Sequence, residues 1–167
     1  MRDRIVVMGV SGCGKSTVAE GVAAALGGTY VDGDDLHPQS NIEKMSRGEP
    51  LTDADRWPWL QQVGETLGQG VPPRVIACSA LKRAYRERIA AAAGTDVFFL
   101  HLHGSYAVLS ERMKNREGHF MPTKLLDSQL ATLEMPAPDE PVVTIDIDKT
   151  PEALVAEAVA ALKETRT

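Results

Sequence analysis

Gly9-Val10-Ser11-Gly12-Cys13-Gly14-Lys15-Ser16 sets glycines, a lysine and a hydroxyl at fixed intervals. The spacing fits G-x-x-x-x-G-K-[ST], a phosphate cradle. Glycines let backbone N–H groups turn inward and ring an anion. A helix beginning at the lysine adds the partial positive charge of its N-terminus. Lys15 supplies a mobile charge for β- and γ-phosphates, and Ser16 a hydroxyl for Mg²⁺, which prefers oxygen ligands. The candidate nucleotide-binding residues are therefore Gly9, Ser11, Gly12, Cys13, Gly14, Lys15, Ser16 and Thr17. Cys13 reads as a small side chain tolerated in the loop and Cys78 as a buried strand residue. A Cys13–Cys78 disulfide under oxidation is the competing reading, since both belong near the phosphate site.

Asp32 and Asp34 stand at the end of an apolar run, Thr29-Tyr30-Val31. Carboxylates at a strand end beside a triphosphate have two uses. One holds the water shell of Mg²⁺; the other accepts a hydrogen bond from an acceptor hydroxyl and orients it for in-line attack. The alternative is a solvated acidic turn, and Asp35 reads as a cap or surface residue. Cationic side chains gather as Lys44 and Arg47 with Arg56, as Lys82, Arg83, Arg86 and Arg88, and as Arg112, Lys114 and Arg116. In an acidic chain, such groups near strand ends point to anionic ligands, which the planar arginine fork matches well. The last group precedes a polar, glycine-containing loop, the place for a lid arginine that covers phosphate and excludes water. His101 and His103 read as packing residues, and no Cys/His spacing resembles a zinc site. Trp57 and Trp59, around Pro58, read as core or as a pocket wall.

These residues need a scaffold that brings strand ends together. Ile5-Val6-Val7-Met8, Thr29-Tyr30-Val31, Val75-Ile76-Ala77-Cys78, Val97-Phe98-Phe99-Leu100 and Val142 to Ile147 read as strands. Helical spacing follows the first, third, fourth and fifth: Val18, Val22 and Leu26 after the first; Tyr85 to Ala93 after the third; Val108, Leu109, Arg112 and Met113, capped by Ser105, then Leu126, Leu130 and Leu133, capped by Thr123, after the fourth; and Leu154, Ala158 and Leu162, started by Thr150-Pro151, after the fifth. Alternating strands and helices imply a parallel sheet covered on both faces. The polar stretch from Leu36 to Leu60, with Pro38, Pro50 and Pro58, is expected to hold short helices.

The chain has 167 residues, 43% hydrophobic and 25% charged, with a formal net charge of −5. This composition fits a globular domain and excludes a disordered tail, a collagen-like fibre and a membrane protein. The acidic balance argues against generic nucleic-acid binding. Two cysteines and no cleavable leader pattern point to a reducing compartment, the cytoplasm.

Longer strings extend the resemblance beyond the phosphate loop: Asp32-Gly33-Asp34-Asp35-Leu36-His37-Pro38; Asn41, Lys44-Met45 and Gly48; Pro50-Leu51-Thr52-Asp53, Asp55-Arg56 and Pro58-Trp59-Leu60; Cys78-Ser79-Ala80-Leu81-Lys82 with Tyr85-Arg86; Arg112-Met113 with Arg116; and His119-Phe120-Met121-Pro122 through Thr132-Leu133-Glu134. Over nearly its whole length the chain resembles the bacterial-type gluconate kinases, relatives of the shikimate and adenylate kinases. The resemblance implies an α/β P-loop NTPase fold of the nucleoside-monophosphate-kinase type, a five-stranded parallel sheet with helices on both faces and a lid. It implies a single domain over residues 1–167, with a substrate-binding insertion at about 36–66 and a lid at about 112–124. The implied reaction is ATP- and Mg²⁺-dependent phosphorylation of the 6-hydroxyl of D-gluconate. Lys15, Asp34 and Arg116 would be catalytic, and Arg112 and Arg116 would contact ATP. Ser16, and Asp32 through water, would hold the metal. Asp34, His37, Lys44, Arg56, Lys82, Arg83 and His119 would bind the acceptor, with Arg56 and the Lys82-Arg83 pair on its carboxylate. The loop Asp148-Lys149-Thr150-Pro151 falls where relatives cradle adenine. Such relatives are often dimers, so a homodimer is compatible.

Three other readings have discriminating signs. A kinase of another small anionic acceptor, such as shikimate or a related sugar acid, separates on a substrate panel. A GTPase switch needs N-K-x-D and D-x-x-G motifs, and the sequence has neither. A nucleic-acid-dependent ATPase needs interleaved aromatic and basic residues, which are also missing.

Overall fold

The computed structural model describes residues 2–10, 12–114 and 123–164. Its first strand, β1 (Arg4–Met8), explains why the run carries no polar alternation: Ile5 through Met8 are all buried. Ile5 and Val7 point into a core with Val18, Ala19 and Val22 of α1 (Lys15–Leu26) and Leu154, Ala158 and Leu162 of α7 (Pro151–Lys163). Val6 and Met8 point into a second core with Trp59, Leu60, Val63 and Leu67 of α3 (Asp53–Gly68) and Tyr85 and Ile89 of α4 (Arg83–Ala93). A strand buried on both faces reads as a continuous apolar run.

The sheet is wholly parallel, in the order β2-β3-β1-β4-β5. β2 is Thr29–Asp32, β3 Arg74–Ala77, β4 Phe98–His103 and β5 Val142–Asp146. Val6 lies between Ile76 of β3 and Phe99 of β4. The remaining helices are α2 (Gln39–Ser46), α5 (Tyr106–Lys114) and α6 (Thr123–Thr132). The fold is α/β with five parallel strands, as expected.

One stretch differs from the sequence reading. The prolines do break up residues 36–60, but only partly: α2 follows Pro38, whereas α3 runs unbroken through Pro58. Proline there forgoes one intrahelical bond. A capping box offsets that loss, with Thr52 Oγ1 accepting from the Asp55 N–H at 3.2 Å and Asp55 Oδ2 accepting from the Thr52 N–H at 2.8 Å. Packing on α4 adds more, because Gly64 lets the two backbones touch: a Cβ there would sit 2.4 Å from the Ile89 carbonyl oxygen. β4 takes in His101 and His103 at its end, where the sequence reading places them as packing residues.

Candidate active site

The chain leaves β1 toward α1 on one face of the sheet and leaves β3 toward α4 on the other. β1 and β3 are neighbours. A crevice therefore opens beyond their carboxyl ends, the place where open α/β sheets bind ligands. Into it run the loop after β1, the Asp32–Leu36 turn after β2 and Cys78–Lys82 after β3.

The loop after β1 is glycine-dependent. Gly12 and Gly14 have φ of 88° and 85°, a left-handed region that other residues enter at a cost. A Cβ on Gly9 would lie 2.6 Å from the Leu102 carbonyl oxygen and 2.8 Å from Cys13 Sγ. The Gly9 N–H donates to Ser79 O at 3.3 Å, pinning this loop to the one after β3. Lys15 Nζ donates to Val10 O at 3.3 Å, across the mouth of the loop. Gly14 caps α1, so Ser16 and Thr17 lie in its first turn and are exposed. Both cysteines are free thiols and buried. Burial pushes Cys78 up to about 12 and raises Cys13 as well. This is the inert behaviour of packed side chains.

Asp32 ends β2 and accepts from the Asp34 N–H at 3.0 Å, an Asx turn that fixes the Asp32 carboxylate and the Asp34 main chain. Asp34 opens to solvent on one side and is enclosed by protein on the other. That enclosure, and then the charge of Asp32, raise its carboxyl above the usual range; Lys15 and His37 pull it back. Asp32, Asp34 and Ser16 offer only oxygen, the donor chemistry that suits a hard divalent cation. Among the described residues no group of three His, Cys, Asp or Glu gathers as a metal cluster.

His37 stacks on Trp59, with ring centroids 4.1 Å apart and planes 14° from parallel. Trp59 in turn donates from Nε1 to Gly33 O at 2.8 Å. The tryptophan is thus a core residue that backs the His37 ring. The Asn41 amide nitrogen donates to Asp55 O at 3.0 Å and to His37 Nδ1 at 3.1 Å. Because Nδ1 accepts, the ring proton sits on Nε2. Burial lowers the His37 pKa against the pull of Asp34, and Arg56 lowers it further. His37 is a neutral donor beside Asp34.

Next to it lies a cationic cluster. Arg56 Nη1 donates to the Tyr85 hydroxyl at 3.0 Å, and that hydroxyl donates to Asp53 Oδ1 through a short hydrogen bond. Lys82 Nζ lies 3.3 Å from Asp53 Oδ2, and Arg56 3.7 Å from Asp53 Oδ1. Both cations also approach the Tyr85 ring, at 5.6 and 5.5 Å. The loop carrying Lys82 is braced from below by Arg86, which is 2% exposed. Arg86 donates to Ala80 O at 2.9 Å, to Glu134 O at 3.0 Å and to Glu140 Oε1 at 2.7 Å. The brace matters because Ala80 has a φ of 45°.

A sequence model described as "AAA domain" matches residues 5–136. A gluconokinase of Gluconobacter oxydans is 50% identical, over 93% of this chain and 88% of its own length. The chain belongs to the gluconokinase family. A solved gluconokinase from Sinorhizobium meliloti is 51% identical and superposes with a TM-score of 0.88, over 97% of this chain and 93% of that one. A shikimate kinase from Aquifex aeolicus, 16% identical with a TM-score of 0.61 over 98% of this chain and 96% of that one, shares the fold.

Within this gluconokinase-family chain, the structure brings Lys15, Ser16, Asp32, Asp34, His37, Arg56 and Lys82 to one crevice. Lys44 instead pairs with Asp55 at 2.7 Å and clasps α2 to α3. Arg83, adjacent to Lys82 in sequence, turns away to Asp139 at 2.6 Å and Glu87 at 3.3 Å, outside the cluster. Arg112 donates to Ile147 O at 2.5 Å and Lys149 O at 3.3 Å, joining the end of α5 to the loop before α7. Ser11, Arg116 and His119 lie outside the described residues, as does most of the expected lid. Sequence reasoning gave Asn41, Asp53 and Tyr85 no role. Their one early signal was membership of the strings shared with the family.

Proposed function

We propose that this chain transfers the γ-phosphoryl group of ATP to the 6-hydroxyl of D-gluconate, releasing ADP and 6-phospho-D-gluconate. The observation that carries the reading is the order of groups along the crevice. A phosphate loop lies at one end, Asp34 and neutral His37 in the middle, and the Arg56–Lys82 cluster at the other. A polyol with a carboxylate at one end and a primary alcohol at the other matches that order.

Lys15 and the loop amides hold the β- and γ-phosphates. Mg²⁺, held by Ser16 and through water by Asp32, would neutralise charge on the same oxygens. Asp34 accepts a hydrogen bond from the 6-hydroxyl and aims its oxygen at phosphorus. The alcohol need not ionise first, since phosphoryl transfer has a loose transition state in which positioning dominates. His37 donates from Nε2 to a substrate hydroxyl. Arg56 and Lys82 take the carboxylate. Arg112 and Arg116 contact ATP, and His119 joins the acceptor site from a lid at about 112–124. Residues about 36–66 act as the acceptor-binding insertion of one kinase domain. The reading places the reaction in the cytoplasm and is compatible with a homodimer. No described helix is long and apolar enough to cross a membrane.

The test is ADP release from Mg·ATP with D-gluconate, with shikimate, with other sugar acids and with no acceptor. Strong dependence on gluconate is expected. Equal or faster release with another acceptor, or with none, would leave the phosphate site and remove the substrate assignment.

A further inference from the structure

Among the described residues, Arg56 and Lys82 face a single carboxylate, that of Asp53, so this cluster holds one positive charge in excess. Of the neighbouring groups, Lys44 and Asp55 neutralise each other, His37 is uncharged, and the Asp34 carboxylate beyond His37 belongs to the phosphate end of the crevice with Lys15. Arg88 lies over the far partner of the aromatic pair, Trp57, which meets Tyr85 edge to face. Asp53 is fixed at the first position of α3 by the Tyr85 hydroxyl and Lys82. Arg56 spends one nitrogen on Tyr85, and its fork keeps other N–H groups for a ligand.

We infer that Asp53 is a specificity residue that holds this end of the crevice at a net charge of plus one, so that the pocket selects acceptors whose C1 group carries a single negative charge. The inference rests on the assignment of the gluconate carboxylate to Arg56 and Lys82. A neutral C1 group leaves the excess charge unmatched. A dianionic group such as a phosphate overfills it and meets the fixed carboxylate of Asp53. Tyr85 contributes by anchoring Asp53 without adding charge.

The experiment compares three acceptors that share the 6-hydroxyl and differ at C1: gluconate, glucitol and glucitol 1-phosphate. Each is read as turnover, or as an inhibition constant against gluconate. In Asp53→Asn the cluster gains one unit of charge. The preference for glucitol 1-phosphate relative to gluconate should then rise by roughly tenfold, the scale of one charge acting over a few ångströms at a partly solvated site. Asp53→Glu keeps the charge and should keep the wild-type ratio. Asp53→Ser makes the same charge change with a residue suited to a helix start, should the asparagine variant not fold. Arg56→Gln tests the underlying reading separately: it should raise KM for gluconate at least tenfold and leave glucitol within about twofold. If Arg56→Gln weakens gluconate and glucitol alike, the carboxylate assignment fails and the inference falls with it. If Arg56→Gln discriminates but neither Asp53 variant moves the ratio beyond twofold, the carboxylate assignment stands and the charge-selection role of Asp53 is overturned. A uniform loss over all three acceptors in Asp53→Asn, with Asp53→Glu restoring none of it, overturns it too.

Discussion

Asn41 and His37 stand one turn apart in the chain, and the 3.1 Å contact between the amide nitrogen and ring Nδ1 decides which imidazole nitrogen carries the proton. The second bond of Asn41, to Asp55 O, fixes the amide so that its NH₂ faces the ring. Asn41→Ala should release the tautomer and leave a main-chain carbonyl short of its partner. A stability loss of about 1–3 kcal/mol is expected. KM for the acceptor should rise while KM for ATP holds. Imidazole nitrogen shifts measured by NMR check the point: the wild type should show protonated Nε2, and the variant a mixture.

Lys15→Ala should lower turnover by about 10²–10³-fold, the scale of losing one donor to a developing anionic oxygen. A loss under tenfold would remove Lys15 from the transition state. Steady-state kinetics at saturating ATP give the answer.

On the proposed reading Asp34 works as the carboxylate, so activity should fall as pH drops through its pKa. Enclosure and the Asp32 charge raise that pKa, so the acid limb of kcat/KM should lie above the ordinary carboxylate range. Asp34→Asn should depress turnover far more than ATP affinity and erase the limb. A pH–rate profile with an ATP titration separates the two effects.

The buried Arg86–Glu140 pair braces Ala80 and hence Lys82. Burial tends to raise the Glu140 carboxyl, but its bonds to Arg86 outweigh burial and hold it low. Removing one partner strands the other charge, so Arg86→Met should cost about 3–5 kcal/mol. Arg86→Met with Glu140→Leu should recover much of that. Urea denaturation of both variants tests this, and the acceptor KM of the double variant reports the missing brace.

His101 is fully buried, and burial first, then His103 and Arg86, lower its pKa from 6.5 to about 4. The unfolded chain therefore takes up a proton between those pH values that the native ring refuses. Stability is full above pH 6.5 and is lost as pH falls toward 4, by up to about 3 kcal/mol. His101→Gln should flatten that slope in denaturation midpoints measured across the range.

The strands and the phosphate loop were legible because each is local. A strand buried on both faces shows as an apolar run, and the glycine–lysine spacing is itself the cradle. The histidines at the end of β4 were legible as packing residues too: His101 is a buried strand residue beside Thr144 of β5. Pro58 misled because the packing that carries a helix through it comes from α4, some thirty residues on. Arg83 was grouped with Lys82 by adjacency, yet neighbouring residues at a helix start point in different directions, and Arg83 meets Asp139 instead. The Asp53–Tyr85 bond needs two helix starts side by side, a relation that no spacing along the chain announces.

The clasp from Lys44 and Asn41 to Asp55 makes α2 and the first turn of α3 one mechanical body. A push on either end is carried through rather than absorbed. His37, Asp53 and Arg56 are therefore tied to one frame, and on the proposed reading that frame sets the span between the sugar acid's carboxylate and its reacting hydroxyl.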